Sequence, residues 1–172
     1  MDILAHGLWT NLAYYKKYKY DLKNRLWAVF FGIMPDLVSF TPSTLYVLLS
    51  RNRFNLEQLI SSSQWTFFWA RESYNYTHSL ISLAVVAVLI LLVRRGKMYW
   101  PILGWLLHIV IDIFTHPNFY STPFLYPLSG FKNRYGISWA EPHFMAINYG
   151  ALAILYILIF TVWKKKKNGQ PS

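Results

Sequence analysis

Apolar positions along the chain fall into five blocks separated by polar or proline-bearing stretches. Residues 144–163 are apolar almost throughout, and at ~1.5 Å rise per residue this block matches the ~30 Å hydrocarbon core of a bilayer. It predicts a membrane span that stops at Lys164. Residues 98–115 predict a slightly shorter one, with Pro101 in its first turn, where a missing N–H is tolerated. Residues 79–93 are apolar on every side but only about 22 Å long as a helix, so neighbouring helices must complete any crossing. Two further apolar helices, 2–15 and 26–40, are short enough to be partial spans or buried helices. Between 41 and 77 lies a polar and aromatic insertion with room for an amphipathic helix at the membrane interface. Residues 116–142, with prolines at 117, 123, 127 and 142, read as an irregular loop. The pattern predicts an all-α, polytopic membrane helical bundle of three to five membrane-embedded helices, forming a single domain over 1–172.

Composition supports the membrane reading, because 55% hydrophobic residues exceed the ~45–50% apolar share of a soluble protein. The formal charge is +10 although only 14% of residues are charged. The basicity is therefore concentrated, in Lys16 to Arg25, Arg94 to Lys97 and Lys164 to Lys167. Beside apolar segments such runs mark cytoplasmic ends of spans and contact with anionic membrane lipids, which argues against nucleic acid as a partner. If five helices alternate, the loops 16–25 and 94–97 and the basic tail 164–172 share one side with 12 of the 17 Lys and Arg. That side is expected to be cytoplasmic, leaving 41–77 and 116–142 outside. The N-terminal residues have no basic region before their apolar stretch, so they do not read as a cleaved signal peptide.

Five ionisable residues lie where a bilayer disfavours them: His6, Asp36, His78, His108 and Asp112. An aspartate at a helix centre costs ~2.5–3.5 kcal/mol on insertion scales, so such groups are normally paired or functional. With the helices alternating, all five are expected at the outward ends. His108 and Asp112, four apart, share one helix face, continued by Thr115 and His116. With no cysteine in the chain, any metal must be held by nitrogen and oxygen, and imidazole with carboxylate suits Zn²⁺, Mn²⁺ or Fe²⁺. The competing explanation is an interhelical His–Asp hydrogen bond that holds the bundle together, worth about 0.6–2 kcal/mol. Asp2, four residues before His6, is placed either to orient the His6 ring or to cap the first helix.

The series MDILAHG, GIMPD, THS, HIVIDIFT and FLYPLS, in that order between apolar helices, resembles the bacterial membrane-bound metal-dependent hydrolase family, including the LexA-regulated inner-membrane hydrolases. That family is similar in turn to zinc-dependent phospholipase C. The resemblance covers residues 1 to about 130 and implies a phospholipase-C-like metal site in the bacterial inner membrane. It implies His6, Asp36, His78, His108 and Asp112 as ligands of a divalent metal, zinc first, with a bridging aspartate among them. The pattern departs at Val38, where the family has a further acidic residue, and at Tyr74 to Tyr76, which lack the usual HRG. There is no HxxxE, so one or two ions are expected rather than three; His116, Glu141 and His143 stand at other spacings. The implied activity is hydrolysis of a phosphoester or phospholipid by metal-activated water, with Asp36 as a ligand or as the catalytic general base. The alternatives are a non-enzymatic metal-binding membrane protein and a purely structural one.

Overall fold

The computed structural model of the chain describes residues 1–49, 65–117 and 121–167. Among the described residues there are six α-helices: α1 (Ile3–Tyr15), α2 (Leu22–Leu49), α3 (Trp65–Thr77), α4 (Leu80–Val93), α5 (Leu103–Thr115) and α6 (Pro142–Lys167). A 3-10 turn, Trp100–Ile102, leads into α5, and no strand occurs among the described residues. The all-α expectation holds.

Helix starts follow local chemistry. Asp2 Oδ1 accepts the Ala5 N–H at 3.0 Å, so Asp2 caps α1 and does not orient His6. The Ser79 hydroxyl accepts from Ile81 and Ser82 and starts α4. Ahead of α2, Asp21 accepts from the backbone and the side-chain amide of Asn24, and these hydrogen bonds hold its carboxyl below the ordinary value. At the far end of α4, Gly96 takes a positive φ of 80° and donates to the Leu91 carbonyl, a turn that closes the helix.

Two boundaries differ from the sequence expectation. The helix expected over 26–40 runs on to Leu49 through Pro35 and Pro42. Pro42 has no N–H for the Val38 carbonyl one turn earlier, and Trp69 Nε1 supplies the missing donor at 3.0 Å. The described parts of the 41–77 insertion, 41–49 and 65–77, are thus helical: α3 packs antiparallel on the second half of α2, with Tyr46 against Phe67 and Ser39 bonded to Thr77. The part of the insertion over 50–64 lies outside the described residues.

Leu22–Leu49 and Pro142–Thr161 are long and apolar enough to cross a membrane, and α3 with α4 forms a third candidate broken by a 67° bend. Among the described residues, buried polar or charged side chains outnumber buried hydrophobic ones, fourteen to ten, while Leu48, Leu92, Ile147 and Phe114 face outward. Such a molecule is dressed for lipid, not for water.

The first half of α2 is the axis of the bundle. A Cβ on Gly104 would collide with the Ala28 carbonyl, and one on Gly32 with the Thr10 side chain, so these two glycines set how closely α5 and α1 approach α2. An apolar cluster of Leu83, Ile102, Trp105 and Ile109 then binds α4 to α5. On the other flank, α6 runs parallel to α1, joined by Tyr149 to Asp2, Trp9 to Asn148 and Asn11 to Tyr156.

Candidate metal centre

Each helix of the central group delivers one or two polar side chains to a common point. Asp36 sits halfway along α2, His78 in the bend between α3 and α4, and His108 and Asp112 one turn apart on α5. These four side chains each offer a ligand atom, and the four atoms lie within 4.8 Å of one another. Asp36 is 7% exposed, and the other three are fully enclosed.

The bend at His78 is what brings an imidazole to this depth. Backbone freed by the break is satisfied by the 121–127 loop: the Leu80 N–H donates to the Phe124 carbonyl at 2.9 Å and the Ser79 hydroxyl to the Tyr126 carbonyl. Irregular backbone in an apolar setting is tolerated where the protein itself supplies partners in this way. Trp105 Nε1 donates to the Thr77 carbonyl at 2.5 Å and fixes the same corner from α5.

Hydrogen bonds assign the imidazole tautomers. His108 Nδ1 lies 2.7 Å from the Gly32 carbonyl, which can only accept, so that nitrogen carries the proton. His78 Nδ1 lies 3.2 Å from the Tyr74 carbonyl and 3.0 Å from Thr77 Oγ1, with the same consequence. Both Nε2 lone pairs then face each other at 3.0 Å. Around them stand Asp36 Oδ1, at 3.5 and 3.7 Å, and Asp112 Oδ2, at 3.4 and 3.2 Å. Four acceptors converge with no proton between them in the neutral-imidazole state. Asp112 Oδ2 is buried and has no hydrogen-bond donor among the described residues.

This arrangement is unfavourable unless an imidazole takes up a proton or a cation occupies its centre. Zn–N and Zn–O bonds of ~2.0–2.1 Å in a tetrahedron place ligand atoms about 3.3 Å apart. The five separations between 3.0 and 3.7 Å scatter around that value. The donor set fits a divalent metal on geometry and on chemistry.

His6 belongs to a neighbouring layer. Its ring stacks on His108 at 3.8 Å, and its Nε2 meets Asp112 through Oδ1, at 2.9 Å, on the carboxylate's other side. His116 Nδ1 approaches the same oxygen at 3.1 Å, and the Met1 amino group donates to it as well. Glu141 and His143 are exposed at the start of α6, outside the cluster.

Sequence reasoning passed over the groups that hold the ligands in place. Tyr74 stacks on His78 at 3.8 Å, with its hydroxyl 3.4 Å from Thr122 Oγ1. Thr77 links His78 to Ser39, at 2.9 Å, on α2. Their spacing was a usable signal: Tyr74 lies four residues before His78 and Ser39 three after Asp36, each on its ligand's own helix face or its continuation.

The profile described as YdjM inner membrane protein matches residues 1–170. The chain belongs to the YdjM inner membrane protein family. No curated protein and no solved structure matches it. Membership places the chain among bacterial inner-membrane proteins, in agreement with its apolar helices. It speaks to neither hydrolysis nor phospholipase C.

Proposed function

We propose that this family member is a metal-dependent hydrolase embedded in the membrane, acting on a phosphoester or phospholipid. The observation that carries the reading is the convergence of two locked imidazoles and two carboxylates, at separations suited to one divalent ion, with an unpartnered oxygen on Asp112. His78, His108, Asp112 and Asp36 would hold that ion, zinc first, while His6 steadies Asp112 through its second oxygen. A divalent metal supplies polarisation of a phosphoryl oxygen and greater acidity of a nearby water. Asp36 is the one member of the quartet with any exposure, so it is the group positioned to take a proton from an attacking water.

One observation favours a second reading. His78, His108 and Asp112 have no exposed surface, as expected of a metal that stabilises a fold or is stored rather than used. The deciding experiment is metal-loaded protein assayed on a phospholipid and phosphodiester panel at neutral pH, with and without a chelator, beside Asp36→Asn. The hydrolase reading expects chelator-sensitive turnover that Asp36→Asn reduces by about 10²–10⁴-fold while metal is retained in part. Bound metal with no turnover on any panel member moves the site to the structural reading. Chelator-sensitive turnover untouched by Asp36→Asn removes Asp36 as the base.

A further inference from the structure

Between α1, α5 and α6 lies a cleft of about 820 Å³ whose walls are almost wholly apolar, including Leu12, Leu107, Leu155 and Ile159. Its polarity is not uniform along its length. The polar groups in its lining gather at one end, at Met1, Thr115 and Asn148. Met1 and Thr115 are the residues whose amine and hydroxyl contact Asp112 Oδ1, so the cleft ends against the carboxylate of the candidate metal centre. From Asn148 to Ile159 the wall made by α6 extends about 16 Å at 1.5 Å per residue, close to the ~15 Å depth of one leaflet's tails.

Asn148 adds a directional requirement. Its Oδ1 accepts from Trp9 Nε1 at 2.8 Å, which fixes the amide plane. Its Nδ2 is buried and has no acceptor among the described residues. An unpaired amide donor in an apolar cleft is costly and calls for an acceptor from whatever fills the cleft.

We propose that this cleft seats one acyl chain of a membrane phospholipid, with the chain's ester carbonyl accepting from Asn148 Nδ2 and the headgroup phosphate directed toward the end of the cleft that abuts the candidate metal centre, where a bound cation would attract it. The occupant is argued from the match between the two polarity gradients: apolar along a leaflet's depth, then an amide donor, then the His and Asp cluster. A helix of a second copy would fill the apolar walls but would need a side-chain or spare carbonyl acceptor at the single level of Asn148, whereas every acyl chain carries its ester carbonyl at the headgroup end. The placement of the headgroup rests on the hydrolase reading, whereas the seating of the chain does not.

The test separates the two. The full-length protein is reconstituted in phosphatidylethanolamine and phosphatidylglycerol vesicles containing a phosphatidylethanolamine with a photoactivatable diazirine in one acyl chain, and the labelled residues are mapped by mass spectrometry. Labelling is expected to concentrate on the cleft walls of α1, α5 and α6 over the exposed face of α4 around Val88 and Leu89. Filling the cleft by Ala151→Trp, or by Leu155→Trp should the first variant fail to insert, is expected to lower that labelling about fivefold with metal content unchanged, whereas Val88→Trp leaves it intact. Asn148→Leu is expected to lower it as well. Labelling spread evenly over all exposed apolar helix faces, or protein-to-protein products joining the cleft to a second copy, would overturn the proposal. Concentrated labelling in a protein with no chelator-sensitive turnover keeps the chain site and overturns hydrolysis alone.

Discussion

Asp112 presents its two carboxylate oxygens to different neighbours, Oδ1 to His6, His116 and Thr115, and Oδ2 to the imidazoles of His78 and His108. That division assigns unequal roles to two histidines that look alike in sequence. His108→Ala removes a nitrogen facing the quartet and is expected to abolish stoichiometric metal binding. His6→Ala leaves the four convergent atoms in place but loosens Asp112 and uncovers the His108 ring that His6 stacks on, so affinity is expected to fall by about 10–100-fold with stoichiometry retained at high metal. A competition titration with a chromogenic chelator measures both. Equal loss in the two variants would make His6 a direct ligand, as the family resemblance implies. The sequence carried the cluster itself, because ionisable residues in apolar blocks are conspicuous and His108 with Asp112 share a face by spacing alone. It did not carry the order of layers within the cluster, since which oxygen of Asp112 meets which ring depends on the packing of α1 against α5.

At the scale of helices, the legible parts were those written in apolar runs: α1, expected over 2–15 and found at Ile3–Tyr15, then α4, α5, α6 and the start of α2. The continuation of α2 was hidden because Pro35 and Pro42 read as breaks, and only a tertiary contact, Trp69 to the Val38 carbonyl, makes the second proline tolerable. The consequence for the site is that Asp36 stands in the middle of α2 and not at its end, with α3 folded back along the remaining half. What lets α5 approach α2 so closely is the absence of a side chain at Gly104. A Cβ at Gly104 would meet backbone, the Ala28 carbonyl and the Gly32 nitrogen, which cannot swing aside as a side chain would. Gly104→Ala should therefore push α5 outward, stretch the bond from His108 Nδ1 to the Gly32 carbonyl, and cost about 1–3 kcal/mol in stability. Thermal unfolding and metal content of purified Gly104→Ala check this against Gly150→Ala, where a Cβ meets nothing. Wild-type metal content and melting in both would show that the close approach of α5 is not needed for the site.

For the molecule as a whole, the arrangement of helix ends bears on its orientation in the bilayer. Lys17 lies over the Trp100 ring at 3.8 Å and Arg94 over Tyr99, so the loops after α1 and α4 meet at one end of the bundle. Because α6 runs parallel to α1, it carries residues 164–167 toward that same end. The path through α3 and α4, broken at His78, still leads from the far end back to this one, so the additional helix does not disturb the alternation expected from five apolar blocks. All three basic runs, with 12 of the 17 Lys and Arg, thereby lie toward one end of the bundle, the arrangement that the charge count expects. Loops rich in Lys and Arg stay in the cytoplasm, where they also meet anionic lipid. A reporter active only in the cytoplasm, fused after Lys167, is accordingly expected to be active, and a cysteine introduced within 128–134 should react with a membrane-impermeant maleimide in whole spheroplasts. The chain has no cysteine of its own, so the labelling background is clean. An inactive fusion together with an unreactive loop would invert the molecule, so that the proposed acyl-chain cleft would draw its lipid from the opposite leaflet.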